Sequence, residues 1–230
     1  QTAIPYELAR KLRGSFYVAG LMLARLKEAE IPLPGGCFLG PRPVDFHIKG
    51  FQALGAEVNI EHGLMKAQMG PVVDNRFFIN RSSVGTTINL MYLAALTPGV
   101  FVLENAAKEP EIVDLAVLLN SMGARIRGAG TEVIRIQGVK RLKGAEHPII
   151  PDRIEAGTYM VAVAATRGEA VLENVMPDHL RTPIMKLRET GTLVEEGETT
   201  IRVVAKDPLL GTDLETAPYP GFPTDLQQPF

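Results

Sequence analysis

The sequence predicts an α/β fold built from one repeated unit, and three observations predict it. First, Thr97-Pro98-Gly99-Val100-Phe101-Val102-Leu103-Glu104-Asn105 returns as Thr166-Arg167-Gly168-Glu169-Ala170-Val171-Leu172-Glu173-Asn174, an offset of 69 residues. Second, helix-like runs end on glycines 55, 123 and 191, which stand 68 residues apart each time. Third, stretches of helical period alternate with short stretches of strand character along the whole chain. A period near 68 exceeds the ~20–50 residues of solenoid repeats, so each unit has the size of a small subdomain. One such unit has few ways to bury its helices alone, and several are expected to pack around a shared core.

The elements of the unit recur in order. Its first helix carries small and apolar residues and is expected at 15–26, 85–96 and 157–165. A short strand follows at 31–33, 100–103 and 170–172. After a loop comes a second helix, recognisable from Ile112, Val113, Ala116 and Leu119 at three- and four-residue spacing. Gly55, Gly123 and Gly191 then stop that helix, because glycine takes the left-handed conformation of a C-terminal cap. Strands are expected at 56–61, 64–68 and 131–137. In the last of these, Val133, Arg135 and Gln137 alternate with Ile134 and Ile136, as for a strand with one buried face. The stretch 140–151, with Gly144, His147, Pro148 and Pro151, breaks the pattern and sets an expected boundary between a domain at 1–150 and another at 151–230.

The composition narrows the function classes. The chain has 230 residues, is 46% hydrophobic and 22% charged, and carries a net charge of −2. That is an ordinary globular composition without the basic footprint of a nucleic-acid binder. A single cysteine excludes an internal disulfide framework and fits a reducing compartment. No apolar run approaches the ~20 residues of a membrane helix, and the first residues do not form a signal peptide. The chain starts with Gln1 rather than Met, so it is expected to begin inside a longer protein or to have been processed.

The one cysteine, Cys37, sits among Pro34, Gly35, Gly36, Gly40, Pro41 and Pro43, a composition that favours a loop. Arg42, Asp45 and His47 follow closely. A nearby cation favours the thiolate, so Cys37 can be read as a reactive thiol. On composition alone the plainer reading, a small buried cysteine, is favoured, since free Cys is among the most buried residue types.

Six motifs, in the same order along the chain, resemble the UDP-N-acetylglucosamine enolpyruvyl transferases (1-carboxyvinyltransferases). They are Pro5-Tyr6-Glu7-Leu8 with Leu12-Arg13-Gly14-Ser15, Leu33-Pro34-Gly35-Gly36-Cys37 with Gly40-Pro41-Arg42-Pro43-Val44-Asp45, and Ser83-Val84-Gly85-Thr86. Glu104-Asn105-Ala106-Ala107-Lys108-Glu109-Pro110-Glu111-Ile112-Val113-Asp114, Pro151-Asp152-Arg153-Ile154-Glu155-Ala156-Gly157-Thr158 and Phe222-Pro223-Thr224-Asp225 complete the set. The resemblance implies an inverted (inside-out) α/β barrel of repeated βαβαββ-like units, in two domains with the active site between them. It also implies a cytoplasmic enzyme of cell-wall (peptidoglycan) synthesis. That enzyme moves the enolpyruvyl group of phosphoenolpyruvate to the 3-hydroxyl of UDP-N-acetylglucosamine and releases phosphate, with no metal or other cofactor. Both partners are small molecules; neither nucleic acid nor membrane is implied.

The resemblance also implies roles for single residues. Cys37 is the general acid toward the methylene carbon of phosphoenolpyruvate and the residue that fosfomycin alkylates. Arg42 and Arg13 hold the phosphate and carboxylate of phosphoenolpyruvate, where a guanidinium fork binds oxyanions in a bidentate way that lysine does not reproduce. Asp225 is the base at the sugar hydroxyl. Pro43, Val44, Asp45 and His47 lie on the uridine side, and Arg81, Ser82, Ser83, Val84 and Gly85 open a helix that binds the diphosphate. Arg81 stands where a lysine is common.

Plainer readings accompany these roles. Arg13 reads alone as a helix-surface charge, His47 as a loop histidine, and Asp225 as a turn cap. Asp114 and Glu155 read as network or helix-start carboxylates. His62, His147 and His179 are scattered, and Glu109 and Glu111 have no His or Cys partner nearby in sequence, so no metal site is expected. The chain also departs from the family. It has no Lys-Asn pair, and it ends five residues after Asp225. Both domains are therefore expected to be incomplete and the isolated chain inactive. Two alternatives are an enzyme like 5-enolpyruvylshikimate-3-phosphate synthase and a non-catalytic UDP-sugar-binding fragment. The first lacks the cysteine loop and the Arg-Pro-Val-Asp segment.

Overall fold

A computed structural model describes residues 3–9, 13–33 and 44–230. The chain divides into two compact units, Gln1–His147 and Pro148–Phe230.

The first unit contains two copies of the repeat. Helix α1 (Tyr6–Ala9) and a 3-10 helix, Arg13–Tyr17, lead into α2 (Val18–Leu26), β1 (Glu28–Pro32), α3 (Asp45–Ala53), β2 (Ala56–Glu61) and β3 (Leu64–Met69). A short strand, β4 (Arg76–Phe78), separates these from α4 (Val84–Ala95), β5 (Val100–Glu104), α5 (Pro110–Ser121), β6 (Arg125–Arg127) and β7 (Val133–Gln137). The second unit holds a third copy: α6 (Arg153–Ala165), β8 (Glu169–Glu173), α7 (Arg181–Glu189), β9 (Leu193–Glu196) and β10 (Thr200–Val204). Two 3-10 helices, Pro177–Leu180 and Thr224–Leu226, complete it.

The three sheets share one topology. Their strand orders are β1-β3-β2, β5-β7-β6 and β8-β10-β9, with the last strand of each copy always central and every pairing antiparallel. In the middle copy, β4 adds itself in parallel to β5. The glycines that mark the period do the same work in each copy. Gly55, Gly123 and Gly191 have φ of 96°, 103° and 88°, a region that residues with a Cβ rarely adopt. Each turns the chain from the second helix of its copy into the next strand. The helix starts also follow local chemistry. Asp152 caps α6 by accepting from the N–H groups of Ile154 and Glu155, and Pro110 occupies the first turn of α5, where no N–H donor is needed.

Burial puts the helices inside and one sheet face outside. Eight of the twelve residues of α4 are buried, which marks it as a core helix rather than an amphipathic surface helix. Strand β7 is one-sided: Ile134 and Ile136 are buried, while Val133, Arg135 and Gln137 are exposed. Phe101 and Leu103 of β5 join the two isoleucines in the core. Helices α2 and α4 meet closely at Gly20. A Cβ there would lie 2.2 Å from the carbonyl oxygen of Asn89, so only glycine fits the crossing. The stretch after β7 is tied back onto α5 by the pair His147 Nε2–Asp114 Oδ1 at 2.8 Å, both side chains largely buried. Asp114 is thus a network carboxylate.

The structure differs from the sequence expectation in several places, among them an earlier start of β1 and of α6. The first helix begins as the 3-10 turn Arg13–Tyr17, ahead of α2. Asp45 and His47, expected in a loop, lie in the first turn of α3. Beyond Pro43 the chain has no further glycine or proline until Gly50, so nothing prevents a helix from starting there. Strand β4 was not expected at all, and β6, β9 and β10 fall outside the expected strands.

Candidate functional site

The site begins at the N-terminus of α4. Ser83 precedes the helix in an extended conformation (φ −142°, ψ 116°), and its Oγ accepts from the N–H of Thr86 at 3.3 Å. By helix geometry the first-turn N–H groups of Val84 and Gly85 have no acceptor within the helix, so they are the donors offered to a ligand. Together with the helix dipole they favour an anion. Thr87 stiffens this turn: its hydroxyl donates to the Ser83 carbonyl at 2.8 Å and accepts from the Ala107 N–H at 3.1 Å. The turn is thereby tied through Ala107 to the segment 105–109 after β5. Arg81 is exposed beside it, and no salt bridge holds it among the described residues.

The first turn of α3 meets this turn. Gly85 lies under two rings. A Cβ on it would be 2.8 Å from Cε1 of Tyr17 and 3.3 Å from Cε1 of His47. His47 packs edge-on against Phe16, with centroids 5.1 Å apart, and tilts against Phe51 at 6.5 Å. Its Nδ1 is 3.0 Å from Nδ2 of Asn89. Burial pushes its pKa from 6.5 down to about 4, against the opposing charge of Asp45. His47 is therefore a neutral, packed imidazole, not a loop histidine.

Two of the expected groups thus meet: His47, in the turn of α3 that Val44 and Asp45 open, lies against Gly85, in the turn of α4 that Ser82, Ser83 and Val84 lead into. Cys37, Arg42 and Pro43 lie outside the described residues. Arg13 opens the 3-10 helix that carries Phe16 and Tyr17, but its side chain is likewise not described. Asp225 belongs to the second unit. It is exposed in the 3-10 helix Thr224–Leu226, which the buried Phe222 and Leu226 anchor. Leu226 packs on Gly157 of α6, where a Cβ would sit 2.5 Å from its Cδ1. Among the described residues, no group of His, Cys, Asp and Glu is arranged to hold a metal ion, and no helix is long and apolar enough to cross a membrane.

Sequence reasoning missed Tyr17 and Asn89. A signal for Asn89 was present: it lies four residues after Gly85, on the same face of a helix that is otherwise apolar from Leu90 to Ala95.

The sequence model of the EPSP synthase (3-phosphoshikimate 1-carboxyvinyltransferase) family matches residues 1–230. The chain belongs to the EPSP synthase family. Within that family it is 61% identical over 226 residues to UDP-N-acetylglucosamine 1-carboxyvinyltransferase 2 of Symbiobacterium thermophilum, covering 98% of this chain and 53% of that protein. It is 56% identical over 227 residues to the protein of the same name from Geobacillus kaustophilus, covering 99% of this chain and 53% of the relative. The chain thus spans about half the length of the curated relatives it matches. Among solved structures, the enolpyruvyl transferase NikO of Streptomyces tendae superposes with a TM-score of 0.85 at 18% identity, over 100% of this chain and 55% of that one. EPSP synthase of Acinetobacter baumannii superposes with a TM-score of 0.59 at 21% identity, over 83% of this chain and 45% of that one. The fold of this EPSP synthase family member is the inverted α/β type, with repeated units whose helices face inward and whose sheets face outward.

Proposed function

We propose that the protein carrying this chain transfers the enolpyruvyl group of phosphoenolpyruvate to the 3-hydroxyl of UDP-N-acetylglucosamine, with release of phosphate. This is the first committed step of peptidoglycan synthesis in the cytoplasm. The observation that carries the reading is the convergence of α3 and α4. The segments that the family resemblance gives to the uridine (Val44–His47) and to the diphosphate (Arg81–Gly85) come from separate parts of the chain, and His47 and Gly85 are neighbours. A helix N-terminus with two unspent N–H donors suits a diphosphate, and a neutral imidazole suits an uncharged base and ribose. The names of the 56–61% identical relatives point the same way.

In this reading, residues 1–150 are part of a first enolpyruvyl transferase domain and 151–230 part of a second. Cys37 gives its proton to the methylene carbon of phosphoenolpyruvate, which becomes a methyl group and leaves the adjacent carbon electrophilic. The sugar oxygen bonds to that carbon while Asp225 takes the hydroxyl proton. Phosphate then leaves and takes the proton held by Asp225, while the Cys37 thiolate takes back a methyl proton, which restores both the thiol and the double bond, now in an enol ether. A thiol with an ordinary pKa of roughly 8.5 is protonated at neutral pH, as an acid must be. Arg42 and Arg13 neutralise the phosphate and carboxylate. Arg81 supplies its charge at the diphosphate.

The test is the choice of acceptor by the full-length natural protein. Phosphate release from phosphoenolpyruvate should require UDP-N-acetylglucosamine. Release driven by shikimate 3-phosphate would replace this reading with the sister activity. Calorimetric binding of UDP-N-acetylglucosamine without any turnover would reduce the protein to a binding module.

A further inference from the structure

A fully buried asparagine, Asn89, joins three elements at the edge of the candidate site. Its Oδ1 accepts from the N–H of Gly20 on α2 at 2.8 Å. Its Nδ2 donates to the carbonyl of Phe16, in the 3-10 helix before α2, at 3.1 Å. The same Nδ2 lies 3.0 Å from Nδ1 of His47 on α3. The two backbone partners have fixed polarity, since an N–H only donates and a carbonyl only accepts. They therefore decide which end of the carboxamide is which. With Oδ1 committed to Gly20, the group facing His47 is an NH₂, which can only donate. His47 Nδ1 must then accept, and the ring hydrogen must sit on Nε2.

We propose that Asn89 is a positioning residue that holds His47 as the neutral Nε2–H tautomer, so that one fixed donor is presented to the sugar nucleotide at the α4 N-terminus. The location follows from the ring. Nδ1 is held at Asn89, while Cε1 lies over Gly85, one helical turn nearer the start of α4. The ring thus runs from Asn89 toward the first turn, with Nε2 beyond Cε1. Burial keeps the ring neutral, and Phe16 and Phe51 pack against the imidazole from two elements. Asp45 on α3 is the charged group whose field reaches it. The exact fit of Asn89 also explains Gly20, whose absent side chain lets α2 deliver its N–H. The tautomer stands independently of the proposed activity; the identity of the ligand rests on it.

The test is nuclear magnetic resonance of histidine-labelled full-length protein near neutral pH. Nitrogen–proton correlations are expected to show His47 protonated on Nε2 alone, and added UDP-N-acetylglucosamine is expected to move the Nε2 resonance. A ring hydrogen on Nδ1, or a mixture of tautomers, would overturn the positioning role. An Nε2 resonance that ignores a bound UDP-sugar would overturn its presentation to the ligand. Asn89→Asp offers His47 an acceptor instead of a donor. It should switch the tautomer and raise KM for UDP-N-acetylglucosamine about tenfold, with KM for phosphoenolpyruvate unchanged. Equal losses for both substrates, with the tautomer unswitched, would make Asn89 merely structural. If that variant does not fold, the measurements on the natural protein decide. If the natural protein neither binds nor uses a UDP-sugar, the activity assignment and the presentation to that ligand fail together, while the tautomer is still decided by its own spectrum.

Discussion

Gly20→Ala sets two physical effects of opposite sign against each other. Gly20 lies inside α2, where helix propensity alone would make alanine better by about 1 kcal/mol. The crossing with α4 argues the reverse. The new Cβ would stand 2.2 Å from the carbonyl oxygen of Asn89, 2.9 Å from its carbonyl carbon and 3.0 Å from its Oδ1. Two of these are backbone atoms of a buried helix and cannot rotate away. Restoring an ordinary contact needs the helices to part by about 1 Å. Overpacking of this kind costs about 1–3 kcal/mol. Parting the helices also breaks the 2.8 Å bond from the Gly20 N–H to Asn89 and strands a buried donor, for about 1–3 kcal/mol more. Set against the propensity gain, the net loss is about 1–5 kcal/mol. The assay is urea unfolding of the full-length protein by circular dichroism. Gly144→Ala is the control: its Cβ would meet nothing within 4 Å, and it should change stability by about 0.5 kcal/mol or less. If Gly20→Ala were as stable as the natural protein or more so, the α2–α4 crossing described above would be wrong.

Other predictions follow from the same site and its surroundings. The folded pKa of His47, about 4, lies below its ordinary 6.5, so on acidification the unfolded chain takes the proton first. Stability is therefore lost as pH falls from about 6.5 to about 4, by about 3 kcal/mol, and His47→Gln should remove that part of the dependence when urea midpoints are compared at the two ends. Gly85→Ala places a Cβ 2.8 Å from Tyr17 Cε1 and 3.3 Å from His47 Cε1. It should raise KM for UDP-N-acetylglucosamine severalfold while leaving KM for phosphoenolpyruvate nearly unchanged, as initial rates would reveal. Asp114→Ala removes the 2.8 Å partner of the largely buried His147; a loss of about 1–3 kcal/mol is expected in urea unfolding.

The repeat was legible because it is written in residues with backbone consequences. Gly55, Gly123 and Gly191 are needed at positive φ, and the alternation around Ile134 and Ile136 follows directly from the pleat. Strand β4 escaped because three residues, Arg76–Phe78, are too few to show alternation, and its pairing partner β5 lies more than twenty residues later. The helical setting of His47 escaped because the glycines and prolines before it extend a loop signal up to the first helical residue. The meeting of His47 with Asn89 and Gly85 is a contact across some forty residues, and no local rule contains it. A lone asparagine in an apolar helix says only that something polar is nearby. Which backbone groups fix its amide, and hence the histidine tautomer, depends on how α2, α3 and α4 pack.

That the Cys37 thiol serves enolpyruvyl transfer to a UDP-sugar is the step on which the proposed function depends. It is tested most directly by phosphate release and product mass in the full-length protein, compared with Cys37→Ser. One enolpyruvyl ether of UDP-N-acetylglucosamine is expected for each phosphate released, and a rate lower by ~10²–10⁴ in the serine variant. Undiminished turnover by Cys37→Ser, or phosphate release without the sugar ether, would contradict it.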